Sequence, residues 1–294
     1  INIRDINGAR DAESSVALVV DGILKTNTAQ LNQPQGTLRQ VEMLKGPQGA
    51  IYGRNAAAGE TLIAEIQGEI PGADVAFLQV DFASLRSVQK LAGEIAARLR
   101  QIDILVNNAG LNASKESKTE DGIETVFAVN HLAPFLLTNL LLSNIRDGGR
   151  IVNVASKMHS WRSMNFDDLE GRKKWSSITA YSQSKLANVM FTYQLAEKLA
   201  ARKITVNCLH PGVIASDITR DMPGFVRILA GVFLKNTEQG AATSVYLAAS
   251  PEVAGITGKY FDDKKAVTSS KESYAVEKQR RLWAISEAMV KAYL

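Results

Sequence analysis

The run YSQSK places a tyrosine and a lysine four residues apart, at Tyr181 and Lys185. On a helix this spacing puts both side chains on one face. An ammonium group close to a phenol favours the phenolate, so we expect Lys185 to lower the pKa of Tyr181. A tyrosine with such a pKa can give or take a proton near neutral pH. The pair alone is a weak signal, because the same spacing also occurs by chance on solvated helices.

Further polar groups stand where strands are expected to end. Ser156 closes the apolar run RIVNVAS, NNAG (107–110) closes the run before it, and HPG (210–212) closes the run after it. Asn130 lies on the predicted helix between NNAG and RIVNVAS. Parallel sheets present functional groups at the carboxyl ends of their strands. Each residue alone is also explained as an ordinary turn or helix polar group, but the series predicts a nucleotide-binding crevice.

The elements that must position these groups alternate between strand and helix from about residue 60 onward. Apolar runs predict strands at 75–80, 102–110, 150–156 and 204–212. Helical periodicity predicts helices at 61–70, 84–100, 120–146, 179–201, 237–249 and 272–292. Alternating strands and helices form βαβ units with right-handed crossovers. The sequence therefore predicts an α/β fold, a Rossmann-like doubly wound parallel sheet.

The first part of the chain lacks this alternation. VALVVDGIL (16–24) and VEMLK (41–45) are strand-like, and a polar, Gln/Asn-rich stretch separates them. A Gly-Pro break follows the second run, and such breaks punctuate secondary structure. We therefore divide the chain into a partly irregular segment, 1–55, and an α/β domain, 56–294.

Composition excludes several classes of protein. Hydrophobic residues make up 46% of the 294 residues, charged residues make up 22%, and the net charge is +4, as in ordinary globular chains. One cysteine, Cys208, allows no intrachain disulfide, and the three histidines show no metal-ligand spacing. The basic runs RKK and KQRR have no accompanying recognition motif, so we expect no nucleic-acid partner. We expect no membrane span and, without a signal segment, a cytoplasmic protein.

From about residue 54 to its end, the chain resembles a short-chain dehydrogenase/reductase, most closely the branch of retinol dehydrogenases and protochlorophyllide reductases. Motifs in the family's order carry the resemblance: QVDFASLRSV, NNAG, VNHLAPF, RIVNVAS, YSQSK and HPGVIAS. The insertion between RIVNVAS and YSQSK and the segment GKYFDDKKAV are also similar to that branch. The resemblance covers about four fifths of the chain.

The resemblance implies a catalytic tetrad of Asn130, Ser156, Tyr181 and Lys185. Tyr181 would transfer a proton to or from the substrate oxygen, and Ser156 would orient and polarise that oxygen. Lys185 would lower the pKa of Tyr181 and hydrogen-bond the nicotinamide ribose. Asn130 would support a water that links Lys185 to solvent. The hydride belongs to the nicotinamide.

The resemblance also implies a cofactor site for NADP, with NAD as the alternative. Arg54 stands where the family often places a base for the 2′-phosphate of NADP. Ser216 stands where a threonine is usual and keeps the hydroxyl. The implied cofactor-binding residues are Arg54, Asp81, Phe82, Asn108, Ala109, Gly110, Tyr181, Lys185, Pro211, Gly212 and Ser216.

Residues 1–59 resemble something else, the plug domain of a TonB-dependent receptor. The run LRQVEMLKGPQGAIYGRNAAAG carries most of that resemblance. No series of ten-residue alternating strands follows, so transport is not expected. We interpret the chain as a chimera joined within residues 53–60, and the plug resemblance explains Arg54 equally well.

The dehydrogenase family normally opens with a strand and a TGxxxGxG turn, and the turn is absent here. It brings backbone N–H groups and a helix N-terminus to the cofactor pyrophosphate. The slot of the first strand is then either vacant or filled by VALVV (16–20), whose following residues, DGILKTN, hold one glycine rather than three.

Two functions follow from these resemblances. The first is an NADP-dependent oxidoreductase that interconverts an alcohol and a carbonyl on a small or lipophilic substrate, impaired by loss of the phosphate turn. The second is a non-catalytic remnant or binding module. FVRILAGVFL (225–234) is either a cap on a lipophilic substrate pocket or an ordinary buried helix. The family resemblance also implies a homodimer or a tetramer, formed by the helices at 120–146 and 179–201.

Overall fold

The computed structural model describes residues 16–20, 40–45, 56–71, 73–212 and 237–294. Its centre is one eight-stranded sheet with the order β3-β2-β1-β4-β5-β6-β7-β8. Neighbouring strands are parallel except for β7 and β8. The strands are β1 (Val16–Val20), β2 (Gln40–Lys45), β3 (Val75–Gln79), β4 (Ile102–Asn107), β5 (Ile145–Val154), β6 (Thr205–His210), β7 (Tyr260–Asp262) and β8 (Lys265–Val267). The predicted α/β Rossmann-like fold is confirmed.

Helices connect the parallel strands in the described part of the chain. They are α1 (Ala56–Glu69), α2 (Leu85–Arg98), α3 (Thr125–Phe127), α4 (Ala133–Leu141), α5 (Ser177–Lys198), α6 (Thr237–Ala249) and α7 (Val276–Val290). Both faces of the sheet are covered. Leu105 of β4 packs in one apolar cluster with α2, α4 and α5, while Ile104 and Val106 pack in another with Leu247 of α6. A strand buried on both faces is rich in apolar residues, as the run Ile104–Val106 of β4 is.

The middle of the sheet comes from the first part of the chain. β1 pairs in parallel with β2 on one side and with β4 on the other, and β2 also pairs with β3. Of the two alternatives for the first-strand slot, the one in which VALVV fills it is observed. The pairing requires only backbone groups and a short extended run. The division into domains at residue 55 stays a prediction, although strands from both sides of it join one sheet.

One predicted helix is too long at both ends. The sequence predicted a helix over 120–146, but α3 begins at Thr125 and α4 ends at Leu141. The Glu124 carboxylate accepts from the N–H groups of Val126 and Phe127, at 3.0 and 2.8 Å, which caps the helix start. Residues from Ile145 onward belong to β5.

A hairpin near the C-terminus was not predicted. Strands β7 and β8 are three residues each and pair in an antiparallel arrangement. The two residues between them, Asp263 and Lys264, have φ angles of 49° and 64°. Two-residue hairpin turns require positive φ, and Asn-Gly or Asp-Gly is their usual sequence signal. The Asp-Lys turn lacks the glycine that would have revealed the hairpin.

The C-terminal helix α7 packs on α4 and α5. The Trp283 ring lies 4.9 Å from the Phe135 ring and 5.8 Å from the Phe191 ring, measured between centroids. His131 Nε2 lies 2.8 Å from Ser286 Oγ, so a hydrogen bond joins α7 to the helix that precedes β5. Within the described ranges, every helix is too short or too polar to cross a bilayer. The homodimer stays a prediction, and its two proposed interface helices are partly covered by α7.

Candidate active site

Ser156 and Tyr181 meet at the carboxyl end of β5. Ser156 follows that strand and caps a short 3-10 turn, Lys157–Ser160, in which its Oγ accepts from Met158 N at 3.2 Å. Tyr181 lies in the first turns of α5, whose start is capped by Ser176. The Ser156 hydroxyl lies close enough to Tyr181 to act on its pKa, and both residues are buried. The structure therefore brings together the two groups predicted to contact the substrate oxygen.

Lys185 lies one helical turn after Tyr181. Its Nζ is 5.7 Å from the centroid of the Tyr181 ring and donates to Val154 O at 3.0 Å. Burial lowers the pKa of Lys185 from 10.5 to about 8, because a low-dielectric environment disfavours the ammonium.

The predicted lowering of the Tyr181 pKa is wrong for this structure. Burial raises the Tyr181 pKa above 10.0, and the neighbouring Ser156 hydroxyl offsets only part of that rise. The physical reason is desolvation: the phenolate loses more by leaving water than it gains from its polar neighbours. Tyr181 is therefore protonated at neutral pH and is poised as a proton donor.

Asn130 lies on a π-helical turn, Ala128–Leu132, between α3 and α4. Pro134 lacks an N–H, so the Asn130 carbonyl has no donor four residues later. The wider turn is closed by a bond from Ala133 N to Ala128 O, and such turns are frequent at functional sites.

The Asn130 side chain ties the NNAG loop to α5. Its Oδ1 accepts from Leu111 N at 2.7 Å, and its Nδ2 donates to Leu111 O and to Ser184 Oγ, each at 2.9 Å. Asn130 is fully buried. The side chain thus holds two parts of the site together, and the predicted role in supporting a water stays a prediction.

Gly110 passes close to both Lys185 and Asn130. A Cβ added at Gly110 would lie 3.0 Å from Lys185 Nζ and 3.3 Å from Asn130 Oδ1. A side chain at Gly110 would therefore crowd the lysine amine. Asn108 and Ala109 precede it at the end of β4. The absence of a side chain is what allows this loop to approach the lysine.

The other predicted cofactor residues lie at neighbouring strand ends. Asp81 follows β3, and its Oδ1 accepts from Ala83 N at 3.0 Å. Phe82 is buried in the hydrophobic core, so its side chain serves packing. Pro211 and Gly212 follow β6, and Gly212 has a φ of 91°, which favours glycine. Arg54, Ser216 and the run 225–234 lie outside the described residues.

A polar network beneath the site was missed at the sequence level. Asn107 Nδ2 donates to Thr138 Oγ1 at 2.9 Å and to Asn153 Oδ1 at 2.8 Å. Asn153 Nδ2 donates in turn to Thr192 Oγ1 at 2.9 Å. The network links α4, β4, β5 and α5 near the candidate site residues. The signal was a single asparagine within each of two apolar strands, where a buried amide requires partners.

Comparison with known proteins identifies the family. The family model described as short chain dehydrogenase matches residues 40–224. The chain therefore belongs to the short-chain dehydrogenase family. A second model, described as TonB-dependent Receptor Plug Domain, matches residues 1–60 and overlaps the first over 40–60.

Individual relatives agree with this family. Human Retinol dehydrogenase 14 is 42% identical over 220 residues, which cover 72% of this chain and 66% of the relative. Human Polyprenol dehydrogenase is 35% identical over 248 residues, covering 80% of this chain and 75% of the relative. The chain thus spans slightly less than two thirds of Retinol dehydrogenase 14.

Solved structures support the fold. A protein of uncharacterised function from Mycobacterium paratuberculosis matches with a TM-score of 0.70 at 27% identity, covering 95% of this chain and 94% of that one. A short chain dehydrogenase from Burkholderia cenocepacia in complex with NADP matches with a TM-score of 0.60 at 24% identity, covering 80% and 88%.

Proposed function

We propose that this chain is an NADP-dependent oxidoreductase that interconverts an alcohol and a carbonyl on a small or lipophilic substrate. One observation carries the proposal: the buried Tyr181 lies next to Ser156, with the Lys185 amine on the same helix face, 5.7 Å from the centroid of the phenol ring. Two adjacent hydroxyl groups can both hydrogen-bond a single substrate oxygen. Proton transfer to a carbonyl requires such a donor within hydrogen-bond reach.

In the reducing direction, Ser156 would hydrogen-bond the carbonyl oxygen and fix its orientation. Tyr181, whose raised pKa keeps its proton in place at neutral pH, would donate that proton to the same oxygen. The charged Lys185 would stabilise the resulting phenolate. A bound nicotinamide would supply the hydride, and the protein would supply orientation and electrostatics.

The nicotinamide half of the cofactor fits the residues around Lys185. The donor set suits a ribose: in the described part of the chain, Lys185 Nζ makes one hydrogen bond, to Val154 O. An ammonium has three N–H donors, so donors remain for ribose hydroxyls. Gly110 keeps the adjacent loop free of a side chain that would crowd the amine. NADP rather than NAD is proposed because of Arg54, which stands where the family places a base for the 2′-phosphate.

The pyrophosphate half is where we propose an impairment. The sequence between β1 and β2 lacks the TGxxxGxG turn. Hydrogen bonds to charged groups contribute about 1.5–3 kcal/mol each, so losing two or three weakens binding by about two to six orders of magnitude. We propose that the origin of this loss is a chimera in which a plug-like segment replaced the first unit of the dehydrogenase.

The lipophilic substrate class is supported by the relatives. Retinol and polyprenol, the alcohols in the relatives' names, are both long apolar molecules with one hydroxyl group. The alternative of a non-catalytic remnant has no comparable support. The homodimer and the cytoplasmic location remain predictions.

Two measurements test the proposal. Turnover of NADPH with an apolar aldehyde, followed by absorbance of the reduced nicotinamide, is expected to be slow in the unmodified chain and absent in Tyr181→Phe. The matched control is Tyr246→Phe, since Tyr246 lies on α6 and is absent from the described contacts of the tetrad. Near-full turnover by Tyr181→Phe would exclude Tyr181 as the acid.

Calorimetric titration with NADPH tests the impairment separately. We expect affinity weaker than low-micromolar, because the phosphate turn is missing. Low-micromolar affinity would mean that the first 60 residues build a phosphate site of another kind, and the impairment would then be rejected while the oxidoreductase assignment stood.

A further inference from the structure

His159 lies between the catalytic Ser156 turn and the segment that precedes α7. Its backbone N–H and its ring Nδ1 both approach Ser156 O, at 3.1 and 2.6 Å. On the opposite side of the ring, Nε2 accepts from Ser270 N at 3.0 Å. The ring is 4% exposed and packs against Tyr260 with centroids 4.7 Å apart. One buried imidazole thus joins two segments that are more than a hundred residues apart in sequence.

These contacts fix the tautomer of the ring. Ser156 O is a carbonyl and can only accept, so Nδ1 must carry a proton. Ser270 N is a backbone N–H and can only donate, so Nε2 must present its lone pair. Both contacts are satisfied only by the neutral imidazole with the proton on Nδ1.

The segment on the far side of His159 is itself firmly held. Ser269 Oγ lies 2.6 Å from both Tyr193 Oη and Ser273 Oγ. Ser273 Oγ donates to Ser270 O at 2.6 Å, and Gln279 of α7 donates to Ser273 O at 2.7 Å. Tyr193 belongs to α5, the helix that carries Tyr181. The segment is therefore fixed to the same helix that carries the proton donor.

We propose that His159 is a positioning residue that fixes Ser156 relative to Tyr181 by tying the Ser156 turn to the Ser269–Ser273 segment. The inference rests on the proposed function, since Ser156 matters only if the site turns over an alcohol or carbonyl. Ser156 lies at the start of the short 3-10 turn that follows β5 and outside any α-helix. His159 connects that turn to α5 through Ser270, the adjacent Ser269 and Tyr193.

Charged and titratable neighbours do not favour protonation of His159. Lys157, on the same turn, pairs with Asp262 of β7 at 2.7 Å, and Tyr260 of β7 is neutral at ordinary pH because burial raises its pKa. Burial lowers the pKa of His159 from 6.5, and its bond to Ser156 O offsets part of that effect. Protonation would place a second N–H against Ser270 N and break that contact.

Two variants separate the two contacts, and a third variant is the control. In His159→Asn, the short amide can still donate to Ser156 O but is too short to reach Ser270. In His159→Gln, the longer side chain can accept from Ser270 N but no longer donates to Ser156 O. Ser160→Ala is the control, because it removes one exposed hydrogen bond of the same turn, from Ser160 Oγ to Lys157 O.

We expect kcat to fall by about 10-fold or more in both His159 variants, because misplacement of a catalytic group by about 1 Å has effects of up to 100-fold. The KM for NADPH is expected to change by less than about 2-fold, because the described contacts of the His159 ring are with Ser156, Ser270 and Tyr260, none of which is a predicted cofactor residue. The acid limb of the kcat–pH profile, expected below the ordinary histidine pKa of about 6.5, should disappear in both variants. Ser160→Ala should retain wild-type kcat and the acid limb.

Amide hydrogen exchange without substrate provides a readout independent of turnover. In His159→Phe, which keeps the ring but neither hydrogen bond, the 157–160 turn and Ser270 should both exchange about 10-fold faster. The inference is overturned if either segment keeps its wild-type exchange rate, or if His159→Asn retains full kcat. An unmodified chain without any turnover would instead reject the proposed function, and the exchange result would still decide whether His159 joins the two segments.

Discussion

Tyr181 and Lys185 are buried together, and burial shifts both pKa values so that the neutral form of each side chain is favoured. The Tyr181 pKa is raised and the Lys185 pKa is lowered to about 8. At pH 7 the phenol keeps its proton and the amine is mostly charged. This combination suits donation of a proton in carbonyl reduction better than abstraction from an alcohol.

Carbonyl reduction is therefore expected to slow as pH rises through about 8. Above that pH, Lys185 loses its charge and no longer stabilises the phenolate left by proton transfer. The measurement is the pH profile of kcat for reduction. Lys185→Arg, which stays charged, should move this limb to higher pH, and an unchanged limb would assign it to another group.

Lys185 should also reduce the stability of the fold. Its folded pKa of about 8 lies below the value of 10.5, so the charged form is disfavoured by about 3 kcal/mol when pH is below 8. This penalty shrinks as pH rises from 8 to 10.5. We expect Lys185→Met to raise the free energy of unfolding by about 1–2 kcal/mol at pH 7, since the unpaired Val154 carbonyl offsets part of the gain. Denaturant unfolding at pH 7 and pH 10 measures both values, and a variant less stable at pH 7 would contradict the expectation.

The sequence revealed the catalytic candidates but not their electrostatics. Spacing and strand ends were enough to bring Ser156, Tyr181 and Lys185 together. The direction of the Tyr181 pKa shift was missed because it depends on burial, which a spacing pattern does not contain. His159 was missed because its partner Ser270 is 111 residues away, and no local pattern marks that contact.

At the scale of elements, a buried histidine joins α7 to α5. His131 contacts Ser286 of α7 and Asn188 of α5. Burial lowers the pKa of His131 to about 4, and the hydrogen bond with Asn188 offsets a part. The folded state therefore favours the neutral form of the His131 ring.

This predicts an acid-dependent loss of stability. The contribution of neutral His131 is fully present above pH 6.5, and it is lost as pH falls from 6.5 to about 4. The expected loss is about 3 kcal/mol across that window. In His131→Gln, which cannot titrate, the slope of unfolding free energy between pH 6.5 and 4 should decrease by that amount. An unchanged slope would show that other groups cause the acid sensitivity.

Trp283 is expected to anchor α7. It contacts Phe135 and Phe191, and Lys198 Nζ lies 4.6 Å from the centroid of its ring. Removing a large aromatic side chain from such packing costs about 3–5 kcal/mol when it is fully buried, and Trp283 is half-buried, so we expect about 2–3 kcal/mol for Trp283→Ala. Trp161→Ala, at a tryptophan that is 56% exposed, is the control and should change stability by less than about 0.5 kcal/mol. Equal effects would mean that α7 contributes little.

Strand and helix existence was predictable from about residue 60, because periodicity and apolar runs report burial directly. Ends were less so. The helix predicted to 146 ran into β5 because SNIRDGG contains no proline and the strand's first partner is Ile102, distant in sequence. The β7–β8 hairpin was missed because its turn has no glycine.

For the whole molecule, the first 45 residues are expected to be required for folding. β1 is the only described strand that joins β2 to β4. Deletion of residues 1–45 would leave β3 without its partner and β4 with an open edge, and open edges promote aggregation. Deletion of 1–15 keeps β1 and serves as the control. Circular dichroism and light scattering should show an aggregated product for the longer deletion, and a monodisperse, cooperatively unfolding one would contradict the expectation.

The position of β1 has a consequence for how such a chain can arise. The strands of a parallel ladder pair through backbone amides and carbonyls, so a short apolar run of different origin can complete the ladder if it enters in the right direction. The loop after that strand has no such tolerance, because a phosphate is recognised by a particular turn. A recombination event at this point can therefore inherit the architecture of an ancestor while discarding part of its chemistry. The ability to fold and the ability to bind a phosphate then depend on two adjacent segments, the strand and the loop after it, each of fewer than twenty residues.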